Sequence, residues 1–393
     1  MTAASATATR LPRSEVGLVR LAAQRVHAPP GGAADVVRHL GAVQAQDLRA
    51  GATAVALRCG AADVSGVAAA LAAGTVVRTW PMRGTLHLLA AEDVGWVLGL
   101  TAGRTVTATA TRRRQLGLDE AFVERAREVA VGLLTGGRAA RRADLHAAWT
   151  AAGLDVTGQR APNLLQHLAL TGTLVLGPPR GREQLVVLLQ EWVPTGRRLT
   201  GEEALTEWAR RYVAGHGPAT AADFATWTKL PLTAARRAFA ALRPEVEAVD
   251  VDGVEHLVHP SATAALAASR RALRAVHLLP GFDEFLLGYG DRSHVLAPEH
   301  VDAVCPGGNG IFRGTVVTAG QVVGTWVRER GTVAATPFTA FGAAVTAGVR
   351  RRAQTLPDGF LDEGPAPAAA APRAPRSAQA PAPPTGGSQA APL

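Results

Sequence analysis

One supersecondary pattern is written along this chain more than once, and that recurrence restricts the possible folds more than any single motif does. A stretch over 143–150, running from Asp144 to Trp149 and helical in character, leads into a second helix over 158–170 and two strand-like runs, 173–176 and 184–189. Further along, 222–228 repeats the Asp-to-Trp helix with Asp223 and Trp227. A helix over 232–242 follows, then strands over 246–251 and 254–258 around an Asp252-Gly253 hairpin signal. Toward the N-terminus, helices over 33–40, 50–58 and 63–73 precede β-prone runs 76–80 and 85–89, joined by Pro81-Met82-Arg83-Gly84. Helices followed by a short hairpin make a winged-helix unit, and three of them in one chain predict stacked copies. Trp149 and Trp227 stand at equivalent places and are expected in the core.

Past the third unit the composition changes. Short β-like runs at 276–279, 283–287, 310–318 and 321–328 are punctuated by Gly and Pro, with Gly307-Gly308-Asn309-Gly310 as a clear turn, and a last helix over 338–352 closes the module. The expected class is α+β, mainly α: three tandem winged-helix repeats, then a small C-terminal β-barrel-like module and a disordered tail. The boundaries read as a disordered N-terminus over 1–12, repeats over 13–118, 119–199 and 200–260, the C-terminal module over 261–355, and a Pro/Ala-rich tail over 356–393.

The apolar fraction of 47% with 19% charged residues is that of a globular protein, and no long run of apolar residues is free of charges or breakers. A cytoplasmic, nucleoid-associated monomer with no membrane contact is expected. Cys59 and Cys305 lie far apart without histidines at ligand spacing, so neither a disulfide scaffold nor a zinc site is supported, and no cofactor is expected. The net charge of +9, carried almost wholly by arginine, favours a polyanionic partner, since each phosphate contact releases counterions.

A polar break, Gly41-Ala42-Val43-Gln44-Ala45-Gln46-Asp47, interrupts the apolar helices of the first unit. Amides spaced i and i+2 lie on opposite sides of a helix but on one side of an extended backbone. Gln44 and Gln46 are therefore expected to aim together from a helix end into enclosed space. The plainer alternative is a pair of solvated amides at a helix terminus. Asp47 is expected to cap the next helix.

Three stretches carry a family resemblance: Val43-Gln44-Ala45-Gln46; Arg78-Thr79-Trp80-Pro81-Met82-Arg83-Gly84-Thr85-Leu86-His87-Leu88; and Leu279-Pro280-Gly281-Phe282-Asp283-Glu284-Phe285-Leu286-Leu287-Gly288-Tyr289. Over roughly residues 14–355 the chain resembles the AlkZ/YcaQ-like DNA glycosylases, which are built from tandem winged-helix motifs and a C-terminal β-barrel. The resemblance implies that the Gln-apolar-Gln motif is catalytic, as in the AlkZ branch, where the YcaQ branch carries Gln-apolar-Asp. Here the central residue is Ala45, smaller than the usual aliphatic. The implied reaction is hydrolysis of the N-glycosidic bond of alkylated purines, chiefly N7-alkylguanine, in duplex DNA.

That chemistry suits two amides. An N7-alkylated purine is already cationic, so its departure needs no strong general acid, only a water held beside the anomeric carbon. A glutamine has both an acceptor and a donor with which to hold it. Lys229 is the single lysine and lies far along the chain, so no amine is placed to form a Schiff base, and a monofunctional enzyme is expected. His87 is read either as a contact to lesion or phosphate or as a partly buried strand residue. Asp283 and Glu284 read as a structural corner rather than an acid/base pair. Arg83, Arg112, Arg113, Arg114, Arg138, Arg141, Arg142, Arg180 and Arg182 are candidate phosphate contacts, with a solvated face as the alternative. The competing function is a non-catalytic winged-helix DNA-binding protein or regulator that reads the major groove.

Overall fold

The computed structural model describes residues 9–27, 31–181, 183–329 and 331–357; Arg182 and the expected tail from 358 onward lie outside them. Strand β1 (Thr9–Arg10) precedes helices α1 (Arg13–Ala23) and α2 (Ala33–Leu40), then β2 (Val43–Gln44), α3 (Leu48–Cys59), α4 (Ser65–Ala72) and the hairpin β3 (Val76–Met82) to β4 (Thr85–Ala90). A long helix, α5 (Val94–Gln115), leads to α6 (Glu120–Leu134), α7 (Arg142–Ala151), α8 (Arg160–Leu170), the hairpin β5 (Leu174–Arg180) to β6 (Glu183–Leu188), and a short α9 (Leu189–Trp192). The third helical group is α10 (Gly201–His216), α11 (Ala221–Thr228) and α12 (Leu232–Leu242), with hairpin β7 (Glu247–Val251) to β8 (Val254–Val258). Helix α13 (Pro260–Leu273) then opens the C-terminal part: β9 (His277–Leu279), α14 (Glu284–Leu287), α15 (Val301–Val304), β10 (Gly314–Thr318), β11 (Gln321–Glu329), β12 (Thr332–Pro337) and α16 (Ala343–Gln354). The fold is mixed α/β, and about 52% of the described residues are helical.

The recurring Asp has a local cause. Asp144 and Asp223 each sit in the first turn of their helix and turn back to accept a backbone N–H, Arg141 N at 3.0 Å and Thr220 N at 3.0 Å, closing the exposed donors of a helix start. The tryptophans that follow, Trp149 and Trp227, are fully buried as expected. Around Trp227 an aromatic cluster binds the third group to α5: Trp208 stands edge-on to Trp96 at 5.3 Å between centroids, and Tyr212 lies 5.1 Å from Trp227.

The sheets depart from the expected organisation. The first two hairpins join with β2 into one five-stranded sheet of order β2-β4-β3-β5-β6, so the motif strand lies on the edge of a sheet shared by two helical groups. The C-terminal strands form an open, antiparallel, four-stranded sheet of order β12-β11-β10-β9 and not a closed barrel. The run 283–287 is not a strand: Asp283 accepts from Phe285 N at 2.9 Å and starts a single helical turn. Thr9 and Arg10, expected to be disordered, pair in parallel with Val249 and Asp250, adding a third strand to β7 and β8. Among the described residues no helix is long and apolar enough to cross a membrane.

Candidate active site

Gln44 lies on the extended backbone of β2, while Gln46 follows in the bend that leads into α3. Gln44 pairs with His87 across β2 and β4, and Ala45 N donates to Leu86 O at 2.8 Å, carrying the pairing past the end of the strand. Gln46 is exposed, its side-chain carbonyl accepts from Leu86 N at 3.1 Å, and its amide N–H groups meet no acceptor among the described residues. Gln44 is 8% exposed, and its Oε1 is buried with no hydrogen-bond partner among the described residues. Buried acceptors are normally satisfied, and an orphaned one costs on the order of 1–3 kcal/mol, which sets this carbonyl apart from the satisfied polar groups of the same strand. Asp47 caps α3 as expected, accepting from Ala50 N at 3.1 Å.

The strand is clamped by a residue that the sequence did not single out. Arg78, 7% exposed on β3, donates from Nε to Ala45 O at 2.8 Å, from one terminal nitrogen to Gln46 O at 3.1 Å and from the other to Gln184 Oε1 at 2.8 Å. Gln184 donates in turn to Gly177 O at 3.1 Å, so the backbone of the motif is tied to the second hairpin. Burial lowers the Arg78 pKa to about 10, helped by the positive charge of Arg142.

Opposite Gln44, His87 is fully buried. Thr79 faces His87 on β3, so Gln44, His87 and Thr79 form one row across three strands, and Thr85 lies on the same face two residues before His87. The hydroxyls of Thr79 and Thr85 are likewise buried and unpartnered among the described residues. The turn between β3 and β4 puts Arg83 at φ 57° and Gly84 at φ 69°, the two left-handed residues of a tight hairpin. From there Arg83 folds back and donates to His87 Nε2 at 2.8 Å and Leu287 O at 3.2 Å, rather than extending into solvent. His87 Nδ1 therefore carries the proton and meets Thr85 O at 2.9 Å. Desolvation, then the Arg83 charge, pushes the His87 pKa down to about 3, so the imidazole is neutral.

The C-terminal part reaches the motif through Asp283 and Glu284. Asp283 is bound by Arg58 through two contacts of 2.9 Å, both side chains being buried. Glu284, 1% exposed, accepts from Gln44 N at 3.1 Å, from Trp227 Nε1 at 2.9 Å and from His216 Nε2 at 3.4 Å. The corner expected from the sequence is real, but Glu284 contacts the motif directly. Among the described residues no group of three or more His, Cys, Asp or Glu side chains could hold a metal ion.

The remaining arginines fall outside this cluster. Arg112 and Arg114 are exposed at the end of α5, while Arg113 folds back onto Thr109 Oγ1 at 2.7 Å. Arg138 donates to Thr135 O and Gly132 O at 2.8 and 2.7 Å, closing the end of α6. Arg141, Arg142 and Arg180 are exposed. Lys229 is an exposed, left-handed residue at the end of α11.

A family model for AlkZ-like DNA glycosylases matches residues 37–358. The chain is 33% identical over 317 residues to an interstrand DNA cross-link repair glycosylase of Streptomyces sahachiroi, covering 78% of this chain and 85% of that protein. It superposes on the solved structure of Streptomyces sahachiroi DNA glycosylase AlkZ with a TM-score of 0.74 and 29% identity, over 88% of this chain and 96% of the other. The matched span contains the Q-A-Q strand, the Arg78 clamp and the Asp283-Glu284 corner, and the chain belongs to the AlkZ-like DNA glycosylase family.

Proposed function

We propose that the protein is a monofunctional glycosylase that hydrolyses the N-glycosidic bond of cationic N7-alkylated purines in duplex DNA, its three helical groups acting as tandem winged helices. The carrying observation is the complementary state of the two amides: among the described residues Gln44 has a buried carbonyl with no partner, and Gln46 has its carbonyl taken by Leu86 N and no acceptor on its N–H groups. A water that donates to Gln44 Oε1 and accepts from Gln46 Nε2 keeps one lone pair free for the anomeric carbon. Neither amide is a strong base, so the water is positioned rather than deprotonated, and the reaction depends on the leaving base already carrying positive charge. His87, neutral and held by Arg83, and Thr79 form the buried row that backs Gln44. Arg112, Arg114, Arg141, Arg142 and Arg180 face the phosphates.

The test is single-turnover release of N7-methylguanine from a duplex, with a second duplex cross-linked between strands through N7 positions, prompted by the activity named for the Streptomyces sahachiroi relative. Gln44→Ala and Gln46→Ala are each expected to slow release at least about tenfold, roughly 1.4 kcal/mol in barrier, with DNA affinity little changed. The double variant loses less than the product of the two effects, since both act on one water. Borohydride traps no covalent adduct. Release at the wild-type rate by both single variants sinks the assignment, and binding to particular undamaged sequences without base release favours a regulator.

A further inference from the structure

Two neighbouring carboxylates enter the site together and are satisfied in opposite ways. Asp283 is held by both terminal nitrogens of Arg58, so its charge is cancelled at contact. Glu284 is instead held by the backbone N–H of Gln44, the indole N–H of Trp227 and an imidazole nitrogen of His216. No arginine forms an ion pair with it among the described residues. Arg83, occupied by His87 and Leu287 O, acts on it only through space. Burial opposes its ionisation, but the His216 hydrogen bond and the charge of Arg83 outweigh this and hold its pKa at about 2. A carboxylate with no guanidinium in contact keeps more of its field than one gripped by an arginine fork, and burial leaves that field weakly screened.

The proposed reaction requires such a field. Positive charge grows on the deoxyribose as the base leaves, yet Gln44 and Gln46 are neutral and Asp47 is engaged at the start of α3. We infer that Glu284 is a positioning residue of the glycosylase reaction: a fixed buried anion behind Gln44 that holds the Q-A-Q strand in register and stabilises the oxocarbenium-like sugar through space. This rests on the glycosylase reading, and it gives the C-terminal module a part in the chemistry. Preorganised charge aimed at where charge develops needs no reorganisation during reaction.

The experiment compares duplexes carrying, at the lesion position, a pyrrolidine abasic analogue with a cationic ring nitrogen or the neutral tetrahydrofuran analogue. Wild type is expected to prefer the cationic sugar by at least about tenfold at fixed salt, in line with the usual effect of one aimed electrostatic group. Glu284→Gln removes the charge at nearly constant shape. It should abolish that preference and slow N7-methylguanine release by about tenfold or more, leaving affinity for undamaged duplex within about twofold. Glu284→Asp keeps the charge and should keep the cationic preference even where its shorter reach slows release. Melting curves report whether each variant folds; if Glu284→Gln does not, the wild-type preference and its retention in Glu284→Asp decide the matter. The inference is overturned if wild type releases base yet binds both analogues equally, or if both variants slow release equally and leave the preference intact. A wild type that releases no base overturns the glycosylase reading, and this inference with it.

Discussion

Burial fixes the protonation of the side chains around Gln44, and the same burial ties the site to stability. His87 is held near 3 by desolvation and Arg83, while desolvation first of all holds His39 and His277 near 4. A histidine whose folded pKa lies below its ordinary 6.5 binds fewer protons than the unfolded chain between those values. Its contribution is therefore complete above pH 6.5 and is lost as pH falls toward 4. Glu284 acts in the same direction over a lower window, since its folded value near 2 lies below the ordinary 4.5. The melting temperature is expected to be level above pH 6.5 and to decline steadily below it. His39→Gln, whose amide can still donate to Ala23 O as His39 does at 2.7 Å, should flatten the first part of that decline. A melting temperature unchanged down to pH 4.5 contradicts the neutral, buried state of these rings. Asp283 gives a companion test: Arg58→Met leaves its carboxylate buried without its guanidinium, and a loss of about 3–5 kcal/mol is expected in chemical denaturation.

Elements dock as closely as residues do, and the tightest contact joins the two ends of the described chain. Gly17 of α1 lies against the turn between β10 and β11, where a Cβ on Gly17 would stand 2.0 Å from Gly320 O, and Gly320 has φ +78°. Gly17→Ala is expected to cost about 1–3 kcal/mol in denaturant unfolding, because backbone rather than a flexible side chain must yield. An unchanged unfolding midpoint would show that α1 can lift away. Elements with local signals were legible beforehand: α2 and α12 match the expected 33–40 and 232–242, and the β7–β8 hairpin was marked by Asp252-Gly253. The long α5 was not, since only its first half is buried and its Thr, Ala and Arg residues show little apolar periodicity. The 283–287 run resembled a strand because it is short and apolar, and its Asp283 cap decides otherwise. Nothing local announced the five-stranded sheet either, because pairing between Arg78 and Leu176 joins strands from different units. The glutamines were visible as a motif. Arg78, Gln184 and Glu284, which hold them, became visible only once distant elements met.

Among the described surface arginines some are matched by carboxylates and others are not, and the difference says where a polyanion meets uncompensated charge. In the third helical group they are largely neutralised: Arg210 by Glu207 and Glu245, Arg211 by Asp93 and Glu207, Arg237 by Glu202, Arg243 by Glu255. Arg112, Arg114, Arg141, Arg142 and Arg180 are exposed and form no ion pair among the described residues. They belong to α5 and the second group. Cations already matched by carboxylates have little to gain from a phosphate, whereas unmatched ones release counterions when DNA arrives. Duplex affinity is therefore expected to fall steeply between low and physiological salt, with a log–log slope of several units if about 5 or more phosphates are neutralised. Arg141→Ser and Arg142→Ser should each reduce that slope by about one and weaken all duplexes alike, while Arg237→Ser and Arg243→Ser should leave it unchanged. Fluorescence anisotropy titrations over a salt series separate the two sets. Equal slopes for all four variants would mean that the ion pairs do not sort the surface, and a flat response in wild type would remove electrostatics from DNA binding altogether.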